Sequence, residues 1–510
     1  MIELGFSYVG LIFLLMLFVP NIIWIKNSPK DHAEYSKHEN RILQIFEKAG
    51  QVLFVVLALI FKGTNFRPHS LWLGWLILAA LLMILYELFW VRYFKSSKTM
   101  ADMCASFAGF PVAGATLPVV AFLFLGIYSA NIFMILSAII FGIGHIGILS
   151  SHAKRAGVKT KRKALKIVVL VLSILILLPI VSIVALRNIN WLSHPIDHDK
   201  GIEESCYVNI NDQEQYLLIR GEDKTNPVIL YLHGGPGSPD SSMSYVFTNH
   251  LIDEYTVVCW DQRGCGRTYF ANNDPSNEKV DFDQALSDVD GMVDYLRDRF
   301  KCEKVIIMGH SYGSFLGCSY VYSHSDKVSA FIGIGQFVSQ SQAVQAEYDE
   351  AYKRATAKGD DTTEMTKAYE KAIATGDLED GSTMSSFTGQ YLKAEHSSHT
   401  VLDAIVSPYL GSDDFRWLTK ILSYDSFVKY CGKLMEPLLE EDLSETKTEF
   451  DVPMFFISGS DDWNCPCPVM IDYCEKIGGQ YVLMEGYDHY VHAGCPEEFA
   501  KTVKNMLKDI

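Results

Sequence analysis

The sequence predicts a chain of two parts. An all-α domain with six transmembrane helices precedes an α/β domain with a mostly parallel eight-stranded sheet and a helical insertion. Six apolar stretches, most of them near the ~20 residues needed to cross a bilayer, precede residue 190. From residue 204, short strand patterns alternate with amphipathic helical patterns. The length of 510 residues also exceeds what one hydrophobic core commonly organises.

Charge and cysteine content restrict the classes of function. Up to residue 190 there are 18 Lys and Arg against 7 Asp and Glu, whereas the remaining 320 residues hold 26 against 53, a net charge of −27. Because phosphate binding needs clustered Lys and Arg, this acidity argues against a nucleic-acid partner. The eleven cysteines show no zinc-ligand spacing and lie in a chain too long for a disulfide scaffold. We expect no metal and no cofactor.

The apolar stretches are interpreted as six membrane spans. They cover approximately residues 4–25, 45–62, 71–92, 106–127, 130–149 and 166–187. The second is shortened by Glu47 and Lys48, and the basic residues decide whether it counts. With six spans, the loops on one side carry 15 Lys and Arg against 2 on the other, whereas without the second span the loops carry 10 against 7. Since Lys and Arg accumulate in cytoplasmic loops, we expect a multi-pass protein of the cell membrane with residues after 187 outside the cytoplasm.

The second half of the chain alternates strands and helices, which indicates a parallel sheet. The predicted strands are 204–210, 213–220, 227–232, 255–260, 304–308, 328–334, 452–457 and 480–485. Apolar residues at helical spacing predict a long helix over 282–300. The predicted domains are the membrane domain 1–190, a linker 191–203, the sheet domain 204–335 with 446–510, and a helical cap 336–445.

A candidate nucleophile follows the fifth predicted strand. The stretch "VIIMGHSYGSFLG" carries Gly-x-Ser-x-Gly from Gly309 to Gly313. Between a strand and a helix, this pattern is typical of a nucleophile elbow, in which small neighbours allow a sharp turn that presents the serine hydroxyl. An ordinary strand-to-helix turn can carry the same pattern by chance. Ser311 is therefore a candidate that needs partners.

Acid and histidine candidates follow the last two predicted strands. The stretch "VPMFFISGSDDWNCP" ends in Asp461 and Asp462, and "YVLMEGYDHYVHAG" ends in Asp488, His489 and His492. The chain order serine, acid, histidine is that of α/β hydrolases with an elbow serine, and parallel sheets gather their active sites at carboxyl strand ends. In such a triad the histidine accepts the serine proton and the acid orients the histidine. The sequence therefore predicts a serine hydrolase.

The glycines of "VILYLHGGPGSPDSS" (228–242) end the third predicted strand. They are consistent with a tight turn or with a backbone that presents bare N–H groups. In hydrolases with an elbow serine, the loop after the third strand and the residue after the nucleophile each donate one N–H to the oxyanion. We assign these donors to Gly235 and Tyr312, each worth about 3–4 kcal/mol in the transition state. His233 is interpreted as a side chain that braces the loop.

Three segments resemble the proline iminopeptidase (prolyl aminopeptidase) family of α/β-hydrolases. They are HGGPG (233–237), DQRGCGRT (261–268) and GHSYGS (309–314), and the GSDDWNCP and GYDH turns resemble that family's acid and histidine turns. The resemblance covers about residues 204–510 and none of the membrane half. It implies an α/β-hydrolase fold with a helical cap.

The resemblance also selects among the site candidates. It implies Asp462 as the acid, with Asp461 as the fallback, and His489 as the catalytic histidine ahead of His492. Where family members usually carry tryptophan after the nucleophile, this chain has Tyr312. Family members often have cysteine at the positions of Cys265 and Cys465, which favours free thiols near the site over disulfides.

The cap implied by the resemblance binds the free α-amine of the substrate with acidic groups. In this chain the stretch "QSQAVQAEYDEAYKRA" of the cap supplies Glu347, Asp349 and Glu350. Any one of them is also consistent with a solvated helix face. Glu347 is the candidate that we select for the amine.

Three functions compete at this point. The first is a membrane-anchored serine aminopeptidase that releases N-terminal residues, with proline among the candidates, from short peptides. The second is an esterase or lipase, because the same triad cleaves esters and a membrane anchor suits amphipathic substrates. The third is a transporter or sensor that uses a hydrolase-derived domain for binding. The expected partners are a small peptide or ester substrate and the lipid bilayer.

Overall fold

The computed structural model describes residues 5–37, 39–66, 73–129, 131–158, 182–272, 280–398 and 400–510. The chain divides into two compact units, Met1–Ser182 and Ile183–Ile510. Most of the predicted sixth span, 166–187, and part of the basic loop that precedes it lie outside the described residues.

The first unit is helical. Its helices are α1 (Tyr8–Ile25), α2 (His32–Ser36), α3 (Arg41–Ile60), α4 (Leu73–Phe94), α5 (Met100–Met103), α6 (Ala113–Tyr128) and α7 (Ile132–Arg155). Among the described residues, four helices are long and apolar enough to cross a membrane, and they correspond to the first, second, third and fifth predicted spans. In the predicted fourth span, 106–127, the helix has only 16 residues. It starts late because Gly109 and Val112 adopt left-handed backbone angles before it.

Helices α3 and α7 lie against each other at unusually short range. A Cβ atom at Gly144 would lie 2.2 Å from the backbone nitrogen of Glu47, and one at Gly50 would lie 2.3 Å from that of Phe141. Small residues of this kind let helix backbones approach closely. Glu47, which interrupts the second apolar stretch, binds Nδ1 of His145 through Oε1 at 2.6 Å. Each of these two polar side chains therefore has a hydrogen-bond partner between the helices.

The second unit contains one eight-stranded sheet. Its strands are β1 (Ile202–Ile210), β2 (Gln213–Gly221), β3 (Val228–Leu232), β4 (Thr256–Asp261), β5 (Val305–His310), β6 (Val328–Ile334), β7 (Met454–Gly459) and β8 (Gln480–Met484). The strand order is β1-β2-β4-β3-β5-β6-β7-β8, in which β1–β2 and β2–β4 are antiparallel and the other pairs are parallel. The predicted fold class is confirmed, and each observed strand agrees with its predicted range to within two residues at either end.

Helices cover both faces of this sheet and occupy the insertion between β6 and β7. They are α8 (Tyr245–Thr248), α9 (Gly266–Ala271), α10 (Phe282–Phe300), α11 (Tyr312–Ser323), α12 (Gln340–Lys358), α13 (Thr363–Thr375), α14 (Leu378–Thr388), α15 (Thr400–Ile405), α16 (Ser412–Lys420), α17 (Tyr424–Glu440), α18 (Leu443–Thr446), α19 (Cys467–Ile477), α20 (Val491–Gly494) and α21 (Pro496–Leu507). Helix α10 begins where the side chain of Asp281 accepts a hydrogen bond from Gln284 N–H at 2.9 Å. Its apolar stripe and those of α11 and α19 bury one face of the sheet, while α21 buries the other.

The insertion between β6 and β7 is helical. Helices α12 to α18 occupy it, in the range predicted for the cap. Helix α12 contacts the turn after β7. The guanidinium of Arg354 on α12 lies 5.7 Å from the ring centre of Trp463 in that turn. The cap therefore reaches the carboxyl edge of the sheet, where the candidate residues lie.

Candidate active site

Ser311 occupies a sharp turn between β5 and α11. Its backbone angles are φ 54° and ψ −119°, a region that residues other than glycine seldom adopt. A Cβ atom at Gly309 would lie 2.2 Å from the carbonyl oxygen of Gly313, and one at Gly313 would lie 2.1 Å from that of Leu232. Both flanking positions therefore require glycine, as a nucleophile elbow does.

Asp462 and His489 meet beside this turn. Asp462 follows β7 and His489 follows β8, and the Nδ1–H of His489 donates to Oδ2 of Asp462 at 2.8 Å. Both residues are buried, and Oδ1 of Asp462 accepts the backbone N–H groups of Asn464 and Cys465 at 3.0 and 2.9 Å. Because Nδ1 carries the proton, Nε2 of His489 is left as a proton acceptor. Of the two sequence candidates, Asp462 rather than Asp461 binds the histidine.

The elbow and the Asp462–His489 pair share the carboxyl end of β6. The N–H of Ser311 donates to Ile334 O at 2.9 Å. The next residue, Gly335, has φ 51°, and a Cβ atom there would lie 2.9 Å from both Oδ2 of Asp462 and Nδ1 of His489. Glycine at position 335 allows the turn that carries Ser311 and the Asp462–His489 pair to lie close together.

The predicted hydrogen bond between Ser311 and His489 is not formed. Among the described residues, no hydrogen bond joins the Ser311 hydroxyl to the His489 ring. The Cys465 thiol lies near this hydroxyl, and burial raises the pKa of that thiol well above its usual value. Ser311 therefore lies near His489, but no hydrogen bond joins the two side chains.

The two predicted oxyanion donors belong to segments that adjoin Ser311. Gly235 has φ 116° and precedes Pro236 through a cis peptide bond. A Cβ atom at the adjoining Gly234 would lie 3.1 Å from Cβ of Ser311. Tyr312 begins α11, so its N–H belongs to the first turn, whose N–H groups have no partner within the helix. In the part of the chain that the structure describes, neither Gly235 N–H nor Tyr312 N–H donates a hydrogen bond.

His233 braces the glycine loop. Its Nδ1 donates to Gly234 O at 2.9 Å, and its Nε2 accepts the N–H of Gln262 at 3.2 Å. Burial lowers the pKa of His233 to about 4, so the ring is neutral at pH 7 and can serve as donor and acceptor at once. These contacts tie HGGPG to the DQRGCGRT segment and agree with a structural interpretation of this histidine.

The cap holds the same loop from the other side. The indole Nε1–H of Trp417 on α16 donates to Gly237 O at 2.7 Å. A Cβ atom at Gly237, which has φ 74°, would lie 2.4 Å from Sγ of Cys431 on α17. Neither Trp417 nor Cys431 was among the sequence candidates, because no local motif relates the cap helices to the loop after β3.

A buried polar cluster also lies behind the Asp462–His489 pair. The Nε2–H of His310 donates to His489 O at 3.1 Å, and the His310 ring packs 4.6 Å from both the His489 and the His492 rings. Beyond His492, the hydroxyl of Tyr231 donates to Oδ2 of Asp240 at 2.7 Å. The sequence analysis missed Tyr231 and Asp240. The one available signal in the sequence was the acidic residue Asp240, which lies in the glycine-containing stretch 228–242.

Burial shifts the charges of this cluster. It lowers the pKa of His492 to about 3 and that of His310 well below its usual value. It also raises the pKa of the Asp240 carboxyl to about 7. The His310 ring, which contacts His489, and the His492 ring behind it are therefore neutral, so His310 positions His489 without adding a competing charge.

Glu347 lies on α12 of the cap. Its carboxylate accepts the hydroxyl of Ser385 at 3.0 Å and that of Thr388, both from α14. Burial raises the pKa of Glu347. Glu350, by contrast, is bound by Arg354 and Lys353. Glu347 is thus the half-buried carboxylate of this group that has no cationic partner among the described residues.

The cysteines near the site are reduced. All eleven cysteines are free, and Cys265 and Cys465 are buried beside the loops that carry the candidate residues. Sγ of Cys265 lies 3.3 Å from Nε2 of His233. Among the described residues, no group of three or more His, Cys, Asp or Glu is placed to hold a metal ion.

Comparison with known proteins agrees with this architecture. Residues 227–494, just over half of the chain, match the family described as the alpha/beta hydrolase fold. The chain belongs to the α/β-hydrolase family. A Bacillus subtilis (strain 168) protein named "Probable aminopeptidase" is 31% identical over 153 residues, which are 30% of this chain and 48% of that protein. The proline iminopeptidase of Thermoplasma volcanium is 27% identical over 181 residues, 33% of this chain and 57% of that enzyme.

The α/β-hydrolase chain spans about half the length of these curated relatives. Among solved structures, the proline iminopeptidase of Mycobacterium smegmatis superposes with a TM-score of 0.44 and 17% identity, covering 60% of this chain and 98% of that one. The resemblance to proline iminopeptidases predicted from three motifs is confirmed by the curated relatives for the hydrolase part.

Proposed function

We propose that the second unit is a serine hydrolase with Ser311 as nucleophile, His489 as general base and Asp462 as the group that orients His489. The observation that carries the proposal is the buried 2.8 Å hydrogen bond from His489 to Asp462 beside an elbow serine with φ 54°. A histidine in this tautomer can accept the serine proton through Nε2. Catalytic hydrogen bonds are commonly long before substrate binds, so the open Ser311–His489 contact is compatible with this role.

The reaction follows from these positions. The Ser311 oxygen attacks the substrate carbonyl while its proton moves to Nε2 of His489. The N–H groups of Gly235 and Tyr312 stabilise the oxyanion. The carbon–nitrogen bond then breaks, the leaving amine takes the proton from His489, and the acyl group stays bonded to Ser311. Water then attacks the acyl group, again through His489, and frees Ser311.

We propose that the substrate is a short peptide and that the enzyme releases its N-terminal residue, with proline as one candidate. Two observations support this choice. The relatives over the matched region are named as an aminopeptidase and as proline iminopeptidases. In addition, the carboxylate of Glu347 is half-buried in the cap and has no cationic partner in the described part of the chain, which suits a substrate ammonium group.

The test is a substrate panel on the full chain in detergent. Proline and alanine amides with a free α-amine should be cleaved, and their N-acetylated forms should react at least about a hundredfold more slowly, because a buried ion pair that loses one partner costs several kcal/mol. A fluorophosphonate should label Ser311. Equal cleavage of free and acetylated substrates would contradict the aminopeptidase and favour an esterase. Absence of both cleavage and labelling would contradict the hydrolase.

We also propose that the hydrolase unit lies outside the cytoplasm. The support is the excess of Lys and Arg in the loops on one side of the predicted spans. Protease treatment of intact cells should digest the hydrolase unit and spare the loop 150–166. Protection of the hydrolase unit with digestion of that loop would contradict the orientation.

A further inference from the structure

Two polar side chains of the helical segment 182–192, Arg187 and Asn190, point toward the rest of the hydrolase unit. Nε of Arg187 donates to Ile405 O at 3.0 Å, and Nδ2 of Asn190 donates to Val406 O at 3.0 Å and to the hydroxyl of Tyr245 at 3.3 Å. The accepting carbonyls lie at the carboxyl end of α15, where a helix leaves carbonyl groups without internal partners. A cation at that end also suits the helix dipole. Segment 182–192 is therefore held against α15 and Tyr245 by Arg187 and Asn190.

The apolar side chains of the same segment face outward. Ile189 is 58% exposed and Leu192 is 64% exposed. On α15, next to the carbonyls that bind this segment, Val401 is 74% exposed and Leu402 is 57% exposed. We call these four side chains, with the exposed Trp191, the outer apolar face. A helix in water places its apolar side inward, so this reversed arrangement indicates a non-aqueous surrounding.

The sequence before this segment identifies the surrounding. Between Lys166 and Arg187 there is no charged residue, and this run is the predicted sixth span. The chain must therefore leave the bilayer close to segment 182–192. Trp191 is of the type that concentrates at the membrane–water boundary, and Arg187 is the only charged residue from 183 to 192.

We propose that the outer apolar face lies in the lipid of the same bilayer, at the boundary between headgroups and acyl chains. The hydrolase unit is then held against the membrane by α15 of its cap as well as by the chain that enters it. The predicted linker does not act as a free tether, since Ile196 is buried in the core of the hydrolase unit and Lys224 binds His198 O at 3.0 Å. The proposal does not depend on the catalytic function.

The experiment uses the full chain in phosphatidylcholine–phosphatidylglycerol vesicles. A nitroxide is attached to Ile189→Cys or Val401→Cys, and its collisions are measured with oxygen, which concentrates in lipid, and with a nickel chelate, which stays in water. The control is Lys476→Cys, an exposed position on α19, which packs on the opposite face of the sheet from Ile196. The unmodified chain gives the background from its natural cysteines.

At residues 189 and 401 the ratio of oxygen to chelate collisions should be several-fold higher than at 476. A ratio at 401 equal to that at 476 would show that the face lies in water and would overturn the proposal. Exclusion of both reagents at 189 and 401 would show that protein covers the face, and this would overturn it as well. The Ser311 fluorophosphonate reaction, measured on the same samples, reports folding without deciding the outcome.

Discussion

At the carboxyl edge of the sheet, backbone segments pack so closely around the candidate triad that only glycine fits at several positions. In the cap, by contrast, side chains of neighbouring helices contact one another. A Cβ atom added at Gly309, Gly313 or Gly335 would lie within 3 Å of a neighbouring atom. Glu347 is held by two flexible hydroxyl side chains of α14. Under the proposed function, the reaction would depend on backbone geometry and the choice of substrate on exchangeable side chains. Substitutions in the two regions should therefore differ in kind as well as in size.

The largest effect is expected at the nucleophile and the base. Ser311→Ala and His489→Ala should each lower kcat by about 10⁶-fold, and the double variant should be little worse, because groups that act as one unit are not additive. Turnover of aminoacyl amides by the purified full chain measures this. Substantial turnover by Ser311→Ala would contradict the mechanism.

The acid of the triad can be tested against its neighbour. Asp462→Asn should lower kcat by about 10⁴-fold, since an amide favours the wrong tautomer of His489. Asp461→Asn is the matched control and should cost far less, because Asp461 does not contact the histidine. Equal losses in the two variants would contradict the assignment of Asp462.

The backbone requirement at the sheet edge is tested at Gly335. Gly335→Ala should lower kcat by at least about a hundredfold, because its Cβ would displace the Asp462–His489 pair and small misplacements of catalytic groups are costly. Gly359→Ala shares a left-handed backbone, with φ 78°, but has no atom within 4 Å of the added Cβ. It should lose some thermal stability and keep its kcat. Loss of activity in both would mean that backbone strain, rather than the triad, is responsible.

The cap is tested at Glu347. Glu347→Gln should raise KM for free-amine substrates by roughly ten- to a hundredfold and leave cleavage of p-nitrophenyl esters unchanged, because only the former present an ammonium group to be paired. Glu350→Gln removes a carboxylate of the same helix that Arg354 already neutralises, and its KM should change little. If both variants bind free-amine substrates normally, Glu347 does not bind the amine.

The smallest effect concerns the pH dependence of stability. Unfolded Asp240 ionises near pH 4, whereas the folded carboxyl keeps its proton up to a pKa of about 7 because it is buried. The folded state thus binds the extra proton in this window, and Asp240 makes the wild type less stable as pH rises from about 4 to about 7. Asp240→Asn does not titrate. The Tm of the variant minus that of the wild type should increase across the window, and a constant difference would contradict the shift.

The sheet edge was largely predictable from sequence because its motifs are local. Strand, turn and helix around Ser311 follow one another within a few residues, and the order of the strands places Asp462 and His489 at the same edge. Tyr231, Asp240 and His492 were not predictable as a cluster, since Tyr231 and Asp240 belong to the stretch 228–242 whereas His492 follows β8, and only the folded sheet brings the two segments together. The reversed segment 182–192 was interpreted as the end of a span and a linker. The sequence of this segment does not show which of its sides contacts α15, so its orientation could not be predicted.

The hydrogen bond from Trp417 to Gly237 has a consequence for how the proposed hydrolase could acquire new substrates. Helices α16 and α17 belong to the insertion between β6 and β7, and they also support the loop that carries Gly235. Exchange of the whole insertion with that of a relative would remove this support. Descendants of this chain should therefore diversify by single replacements on helices such as α12 and α14, with the tryptophan retained through each step.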